Sequence, residues 1–190
     1  VLFSSGTTGT PKAIPWDRTV ALKAAGDAHL LFDIRPGDRV CWPTSMGWMM
    51  GPWLVFAALG NGAAVVCYDG APATAGFCRF VADARVSVLG VVPSLVAAWR
   101  AGGCADGCDW SAIRLFGSTG ECSRPSEMRW LMARAGYRPV IEYCGGTEVG
   151  GGYVAGTLAQ PCVPSAFATP AFGIDFEVGD DGECFLVPPA

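Results

Sequence analysis

Short apolar segments alternate with longer helix-like segments along most of the 190-residue chain, and this alternation limits the fold more than any other feature. The short segments predict strands at residues 38–42, 63–68, 86–92, 113–116 and 139–143. The longer segments predict helices at 17–32, 48–59, 76–84 and 125–135, and another that begins near Pro93. Strands that are apolar on both faces and separated by helices are typical of α/β sheets covered on both sides. We therefore predict an α/β fold with helix-covered sheets.

The C-terminal part has a different pattern. Residues 149–174 contain no charged side chain and are rich in Gly and Pro, which predicts loops. Residues 175–178 and 183–187 flank the turn 179–182, so we expect an antiparallel β element near the C-terminal end. No internal repeat or clear linker divides the chain, which indicates a single domain.

Charge and cysteine content narrow the function classes. Thirteen Lys and Arg against seventeen Asp and Glu give a net charge of −4, and no basic run occurs. Binding to a nucleic-acid backbone needs clustered positive charge, so we expect no nucleic-acid partner. The nine scattered cysteines are an odd number for a disulfide framework, which favours a reducing, intracellular compartment.

The interval between Arg39 and Asp69 carries no charge and is long enough to span a bilayer. Helix-breaking residues interrupt it, and they include Pro43, Gly47, Gly51, Pro52, Gly60 and Gly62. A membrane protein is therefore an alternative that we weigh against a buried core, and the breakers favour the core. We predict no transmembrane segment.

A motif rich in Gly, Ser and Thr follows the apolar residues at the start of the chain and ends in Pro11-Lys12. Glycines let backbone N–H groups face an anion, hydroxyls add donors, and a lysine adds positive charge. The spacing differs from a Walker A loop, and a flexible linker rarely ends in Pro-Lys. We predict a polyphosphate site formed by Ser4, Ser5, Gly6, Thr7, Thr8, Gly9 and Lys12.

These residues resemble a known family. Ser-Ser-Gly-Thr-Thr-Gly-x-Pro-Lys is similar to the signature loop of adenylate-forming enzymes, which include AMP-forming acyl-CoA synthetases, adenylation domains and luciferases. Residues 117–121 (Gly-Ser-Thr-Gly-Glu) resemble the loop that packs on adenine in the acetyl-CoA synthetase-like branch, and 143–148 resemble the aromatic-Gly-x-Thr-Glu motif. Residues 41–62 resemble the segment that lines the carboxylate pocket. The likeness covers essentially the whole chain and is closest to plant acyl-activating enzymes, some of them peroxisomal.

The resemblance implies a two-step reaction. A carboxylate attacks the α-phosphate of ATP to give an acyl-adenylate and pyrophosphate, and coenzyme A then displaces AMP. ATP, Mg²⁺ and coenzyme A are the implied cofactors and co-substrates. Residues 1–190 would be the central part of the large N-terminal AMP-binding domain, with the N-terminal portion and the small C-terminal domain absent, so we expect this piece alone to be inactive. The alternative is a catalytically inactive nucleotide-binding or interaction module of the same origin.

The resemblance also assigns site residues. Lys12, Thr147 and Glu148 would be catalytic. Glu148 is the acid near the predicted polyphosphate loop, and a carboxylate there needs an intervening cation, so we predict that it is a Mg²⁺ ligand; the alternative is a solvated surface acid. The residues implied for adenosine and the adenylate are Gly117, Ser118, Thr119, Gly120, Glu121, Cys122, Glu142, Tyr143, Cys144, Gly145, Gly146 and Thr147.

Two positions depart from the family pattern. Cys144 occupies the aromatic position of the motif and Tyr143 precedes it, which leaves open which of the two contacts adenine. Gly145 stands where acetyl-CoA synthetases have a Trp that closes the acyl pocket, so we expect an acid larger than acetate. The predicted acid pocket comprises Trp48, Met49, Met50 and Gly145, although ordinary core packing is an alternative for the first three and the preferred assignment for Trp53. The compartment, peroxisome or cytoplasm, stays open.

Overall fold

A computed structural model describes residues 1–5 and 9–187. Five helices are present in these ranges: α1 (Arg18–Leu30), α2 (Met50–Gly60), α3 (Ala75–Asp83), α4 (Pro93–Gly102) and α5 (Pro125–Arg134). The strands are β1 (Leu2–Ser5), β2 (Pro11–Ile14), β3 (Arg39–Cys41), β4 (Ala64–Val65), β5 (Val88–Val91), β6 (Leu115–Ser118), β7 (Val140–Gly146), β8 (Gly151–Ala155), β9 (Thr169–Pro170), β10 (Asp175–Val178) and β11 (Cys184–Val187).

A seven-stranded mixed sheet forms the centre, in the order β4-β3-β5-β6-β7-β8-β9. The strands from β4 to β7 pair in parallel, and β8 and β9 pair antiparallel at one edge. The hairpins β1–β2 and β10–β11 form two separate two-stranded sheets. The predicted mixed α/β architecture with an antiparallel element near the C-terminal end is therefore confirmed.

The helices begin where the sequence supplies a suitable first residue. Asp17 precedes α1, and its carboxylate accepts a 2.8 Å hydrogen bond from the backbone N of Thr19. Pro93 and Pro125 are the first residues of α4 and α5, where a missing N–H costs nothing. These local signals explain why most helix starts could be predicted from sequence.

Each face of the sheet covers its own hydrophobic cluster. On one face, α1 and α2 pack over the rings of Phe32, Trp42, Trp53 and Tyr143, whose contacting centroids lie 5.4 to 6.0 Å apart. On the other face, α3, α4 and α5 cover a cluster that contains Trp99. Each fully buried large side chain stabilises the fold by about 1.5–3 kcal/mol. Trp53 is fully buried, which confirms its predicted place in the core.

The indole of Trp42 lies directly against two strand glycines. A Cβ added at Gly90 would lie 1.8 Å from an atom of this ring, and one added at Gly117 would lie 2.7 Å from it. Such distances are far below van der Waals contact, so β5 and β6 need glycine at these positions. Gly117 therefore has a packing role at the start of the segment predicted to bind nucleotide.

The structure corrects three sequence predictions. The segment before the first predicted helix, in which no strand was predicted, contains β2, which pairs with β1. Residues 149–174, predicted as loops, contain β8 and β9. The glycines of this segment have a weak preference for strands, but neighbouring strands supply hydrogen-bond partners for its backbone. The strand predicted over 63–68 is limited to Ala64–Val65.

The charge-free interval contains the 11-residue helix α2, which lies in the core. Within the part of the chain that the structure describes, no helix combines the length and apolar character needed to cross a membrane. The nine cysteines all fall within residues 9–187, and each carries a free thiol.

Candidate functional site

A cavity of about 560 Å³ opens where β6 and β7 end at the carboxyl edge of the parallel strands. Ligands of open α/β sheets bind at this edge, because loops leave the strands there with unpaired backbone groups. Three segments predicted from sequence meet in the cavity. The lining residues are Trp48, Met49, Met50, Ser118, Thr119, Gly120, Glu121, Cys122, Ser123, Glu142, Tyr143, Cys144, Gly145, Gly146, Thr147, Ser165 and Phe167.

Polar side chains cluster around the buried carboxylate of Glu142, which is 5% exposed. Its Oε1 accepts a 2.7 Å hydrogen bond from Ser123 Oγ and a 3.2 Å bond from the backbone N of Ser165. Ser118 pairs with Glu142 in the sheet register, and its hydroxyl is buried with no hydrogen-bond partner among the described protein residues. An unpaired buried hydroxyl beside a carboxylate is suited to bind a polar group of a ligand.

Two side chains of the β6–α5 loop form hydrogen bonds that fix the backbone of this loop. Thr119 Oγ1 donates a 2.5 Å hydrogen bond to the carbonyl oxygen of Tyr143. Glu121 accepts 2.9 Å bonds from both the backbone N and the hydroxyl of Ser94, in the first turn of α4. The carboxylate of Glu121 thus stabilises the N-terminus of α4, and the adjoining backbone of the loop lines the cavity.

Tyr143 and Cys144 have different environments. The ring of Tyr143 is 2% exposed and lies in the aromatic cluster described above. Burial raises the pKa of its hydroxyl well above the ordinary value, and the nearby Asp27 carboxylate raises it further. Cys144 is half-buried, and its Sγ donates a 2.9 Å bond to the hydroxyl of Tyr153. This contact and burial raise the pKa of Tyr153 to about 12. Because Tyr143 is buried in the aromatic cluster, its ring is unavailable for stacking on a ligand.

The paired strands β1 and β2, here called the glycine-rich hairpin, include the first and last residues of the glycine-rich motif and lie beside the Thr147-Glu148 segment. Ser4 Oγ donates a 3.1 Å hydrogen bond to Glu148 Oε1, although the two residues are 144 positions apart. Trp16 Nε1 donates a 2.7 Å bond to the carbonyl oxygen of Thr147. Lys12 is exposed in β2 and is paired with Ser4 in the register. Gly6, Thr7 and Thr8, predicted to contact phosphate, lie outside the described residues.

Glu148 is the carboxylate that could hold the implied Mg²⁺. Glu148 presents an exposed carboxylate next to the hairpin. Over residues 1–5 and 9–187, no group of three or more His, Cys, Asp or Glu side chains could hold a metal alone. Mg²⁺ is commonly bound by one or two carboxylates together with substrate phosphates and water. A single carboxylate beside the motif predicted to bind polyphosphate fits that mode.

Gly145 is required by its contact with the neighbouring strand. A Cβ at this position would lie 2.1 Å from the carbonyl oxygen of Gly151 in β8. The β7–β8 register is also irregular between Cys144 and Gly145. Any side chain at this position would therefore require β8 to move, which gives this glycine a backbone role in addition to any effect on the cavity.

Several site residues were missed from sequence, namely Trp16, Ser123, Ser165 and Phe167. Trp16 and Phe167 are single aromatic residues in irregular segments, and neither lies in a periodic pattern or a motif. Ser165 belongs to the charge-free segment predicted as loops. Only the chain path through β8 and β9 brings this segment back to the cavity. No local signal identifies Trp16, Ser165 or Phe167, whereas Ser123 directly follows the predicted segment 117–122.

The doubly covered sheet, the cavity at its carboxyl edge and the adjacent glycine-rich hairpin define an α/β fold with a candidate ligand site at the edge of its sheet. The family model described as AMP-binding enzyme matches residues 1–190. The chain is 55% identical over 189 residues to probable acyl-activating enzyme 17, peroxisomal, of Arabidopsis thaliana, covering 100% of this chain and 26% of that protein. It is 53% identical over 180 residues to hexanoyl-CoA synthase of Cannabis sativa, covering 95% and 25% respectively.

The solved structure of acetoacetyl-CoA synthetase from Streptomyces lividans has a TM-score of 0.80 and 31% identity, covering 97% of this chain and 30% of that one. The chain belongs to the AMP-binding enzyme family. It spans about a quarter of the length of the plant relatives that it matches.

Proposed function

We propose that the protein containing this chain activates a carboxylic acid with ATP and transfers the acyl group to coenzyme A. The observation that carries this proposal is the hydrogen bond from Ser4 to Glu148, which holds the glycine-rich hairpin beside the cavity edge. A polyphosphate on the hairpin would thereby have its α-phosphate near the cavity. The membership of the AMP-binding enzyme family and the names of the relatives support the same chemistry.

In the proposed site, this chain positions two anions that repel each other. Lys12, with Thr7 and Thr8, would bind the phosphates of ATP and offset their charge. The carboxylate oxygen of the acid would attack the α-phosphorus, and the bond from that phosphorus to the pyrophosphate oxygen would break. The hydroxyl of Thr147 would donate to a phosphoryl oxygen. Preorganised donors and correct alignment supply most of the catalysis in such reactions.

Glu148 would hold Mg²⁺ together with the phosphates of ATP. When bound there, this ion would neutralise charge on the phosphate oxygens. Residues 117–122 and 142–147 would surround adenosine and the adenylate, with Glu142 and Ser118 as polar contacts at the sheet edge. Coenzyme A would then attack the acyl carbon through its thiol, with AMP as the leaving group.

We further propose that the acid is larger than acetate. Trp48, Met49 and Met50 line one part of the cavity with apolar surface, and Met can adapt to an irregular acyl chain. One relative, 53% identical, is named hexanoyl-CoA synthase, which supports a medium-length acid.

In this proposal, residues 1–190 form part of one adenylation domain, and the whole protein supplies further residues for the reaction. A peroxisomal location is proposed because two Arabidopsis thaliana relatives carry that word in their names. Imaging of the tagged full-length protein against a peroxisomal marker tests the location.

The test of the function is carboxylate-dependent pyrophosphate exchange by the full-length protein with a panel of acids. Lys12→Ala and Glu148→Ala should each reduce exchange by at least about tenfold, because each removes a group that offsets or bridges phosphate charge. The matched controls are Arg18→Ala and Glu177→Ala, which change exposed charges away from the cavity lining. Binding of AMP without exchange for any acid would overturn the proposal and favour the inactive nucleotide-binding module.

A further inference from the structure

Ser165 has a backbone conformation that is unusual for a residue with a side chain. Its φ is +63°, in the left-handed region that residues other than glycine seldom occupy. Its backbone N donates to Glu142 Oε1 at 3.2 Å, and its Oγ lies 2.9 Å from Ser123 Oγ. Strained residues persist where surrounding contacts hold them in place. The contacts to Glu142 and Ser123 thus fix this segment at the polar part of the cavity.

The same segment is also attached on its other side. The backbone N of Ala168 donates a 2.9 Å hydrogen bond to the carbonyl oxygen of Ala155 in β8. The next two residues form β9, which pairs with β8. Phe167, which lines the cavity, therefore lies between two anchored points of the backbone.

Three aromatic residues line the cavity, and their exposed fractions differ widely. Tyr143 is 2% exposed, whereas Phe167 is 51% and Trp48 is 70% exposed. Trp48 adjoins Met49 and Met50 at the apolar part of the cavity. Phe167 follows Ser165, which contacts the polar cluster of Ser123 and Glu142. Of the two exposed aromatic residues, Phe167 is thus the one whose backbone is attached to the polar cluster, two residues after Ser165.

A purine base presents a polar edge and an aromatic face, and this part of the cavity offers both kinds of partner. We infer that Phe167 provides the aromatic face against which the purine of the nucleotide stacks, and that Ser165 is a positioning residue that holds it there. Stacking on an aromatic ring is possible for any base, because every base has an aromatic face, and it contributes substantially to binding. This inference rests on the proposed function, because it assigns the base of that nucleotide to one part of the cavity.

The experiment uses the full-length protein with Phe167→Ala, Phe167→Leu and Phe167→Tyr. Removal of the aromatic face should raise the Kd for AMP, measured by calorimetry, and the KM for ATP by about tenfold in the Ala and Leu variants. The Tyr variant should restore both values. The KM for the acid should not change in any of them. Phe172→Ala is the matched control, because Phe172 is 74% exposed and is absent from the cavity lining.

Ser165→Gly tests the positioning role, because glycine keeps the left-handed backbone and Ser165→Ala does not. The Gly variant should retain the KM for ATP, and the Ala variant should raise it without changing the KM for the acid. An unchanged AMP Kd in Phe167→Leu would overturn the inference, as would a rise confined to the KM for the acid. Because AMP binding is measured directly, a protein without pyrophosphate exchange disproves the proposed function and leaves the stacking test intact.

Discussion

The hydroxyl of Tyr143 donates a 2.6 Å hydrogen bond to Oδ2 of Asp27, a carboxylate on α1 that is only 1% exposed. The same oxygen accepts a 2.9 Å bond from the backbone N of Gly152, and Lys23 pairs with Oδ1 at 2.6 Å. A buried charge is tolerated when it is paired and hydrogen-bonded in this way. Asp27 therefore joins α1 to β7 and β8, the two strands that flank the turn 147–150 of the candidate site.

Replacement of Tyr143 by Phe should destabilise the protein by about 1.5–3 kcal/mol, because it removes a hydrogen bond to a buried charged group. The measurement is the free energy of unfolding from chemical denaturation. Tyr137→Phe is the control, since Tyr137 is 72% exposed and the change should have little effect. Equal stability of the two variants would show that the bond to Asp27 contributes nothing.

Removal of the Asp27 carboxylate should have a larger effect. Asp27→Ala leaves Lys23, Tyr143 and the backbone N of Gly152 without their shared acceptor, at a cost of about 3–5 kcal/mol. Asp83→Ala provides a comparison on the opposite face of the sheet, at the C-terminal end of α3. A loss below 1 kcal/mol in Asp27→Ala, by the same denaturation measurement, would contradict the structural role given to this carboxylate.

The length of the preferred acid can be tested with a series from acetate to octanoate. Each methylene buried in the apolar part of the cavity contributes up to about 0.8 kcal/mol, so kcat/KM should rise from acetate to hexanoate. Met49→Ala should reduce kcat/KM for hexanoate more than for acetate. Met46→Ala should not, because Met46 is 62% exposed and lies outside this cavity. Better use of acetate than of butyrate would refute a pocket for larger acids.

The pH dependence of stability should include a contribution from Asp38. Burial alone would raise the pKa of this carboxyl, but hydrogen bonds from Arg114 and Ser87 and the positive charge of Arg114 outweigh it. The pKa in the folded state therefore lies below the ordinary value of 3.8. A lowered folded pKa gives stabilisation that is complete above the unfolded pKa and is lost as the pH falls through the folded value.

Asp38→Asn should accordingly lower the unfolding temperature at pH 7, and its difference from the parent should shrink as the pH falls below about 4. Asp180→Asn is the control, because Asp180 is exposed in the β10–β11 turn. A difference that stayed constant from pH 7 to pH 2.5 would show that the ionised carboxylate of Asp38 is not the stabilising form.

Sequence patterns anticipated the parts of the fold that depend on local preference. Proline at the first position of α4 and α5 and the fully apolar run of β5 are local signals that the structure confirms. The strand β8 was missed, because its glycines weaken strand preference and its pairing partner β7 is several residues away. Motif spacing also anticipated most of the cavity lining, since residues 118–122 and 142–147 lie at the carboxyl ends of the neighbouring parallel strands β6 and β7.

The amino-acid sequence by itself determined the α/β class, the order of the main elements and the identity of the three motifs, because hydrophobic periodicity and motif spacing are local properties. Only the tertiary structure decided that the ring of Tyr143 faces the core, that Ser4 contacts Glu148, and that Phe167 reaches the cavity. These outcomes depend on strand register and on close approaches such as that of Gly145 to Gly151. Contacts between residues far apart in the chain form through packing, which no single segment encodes.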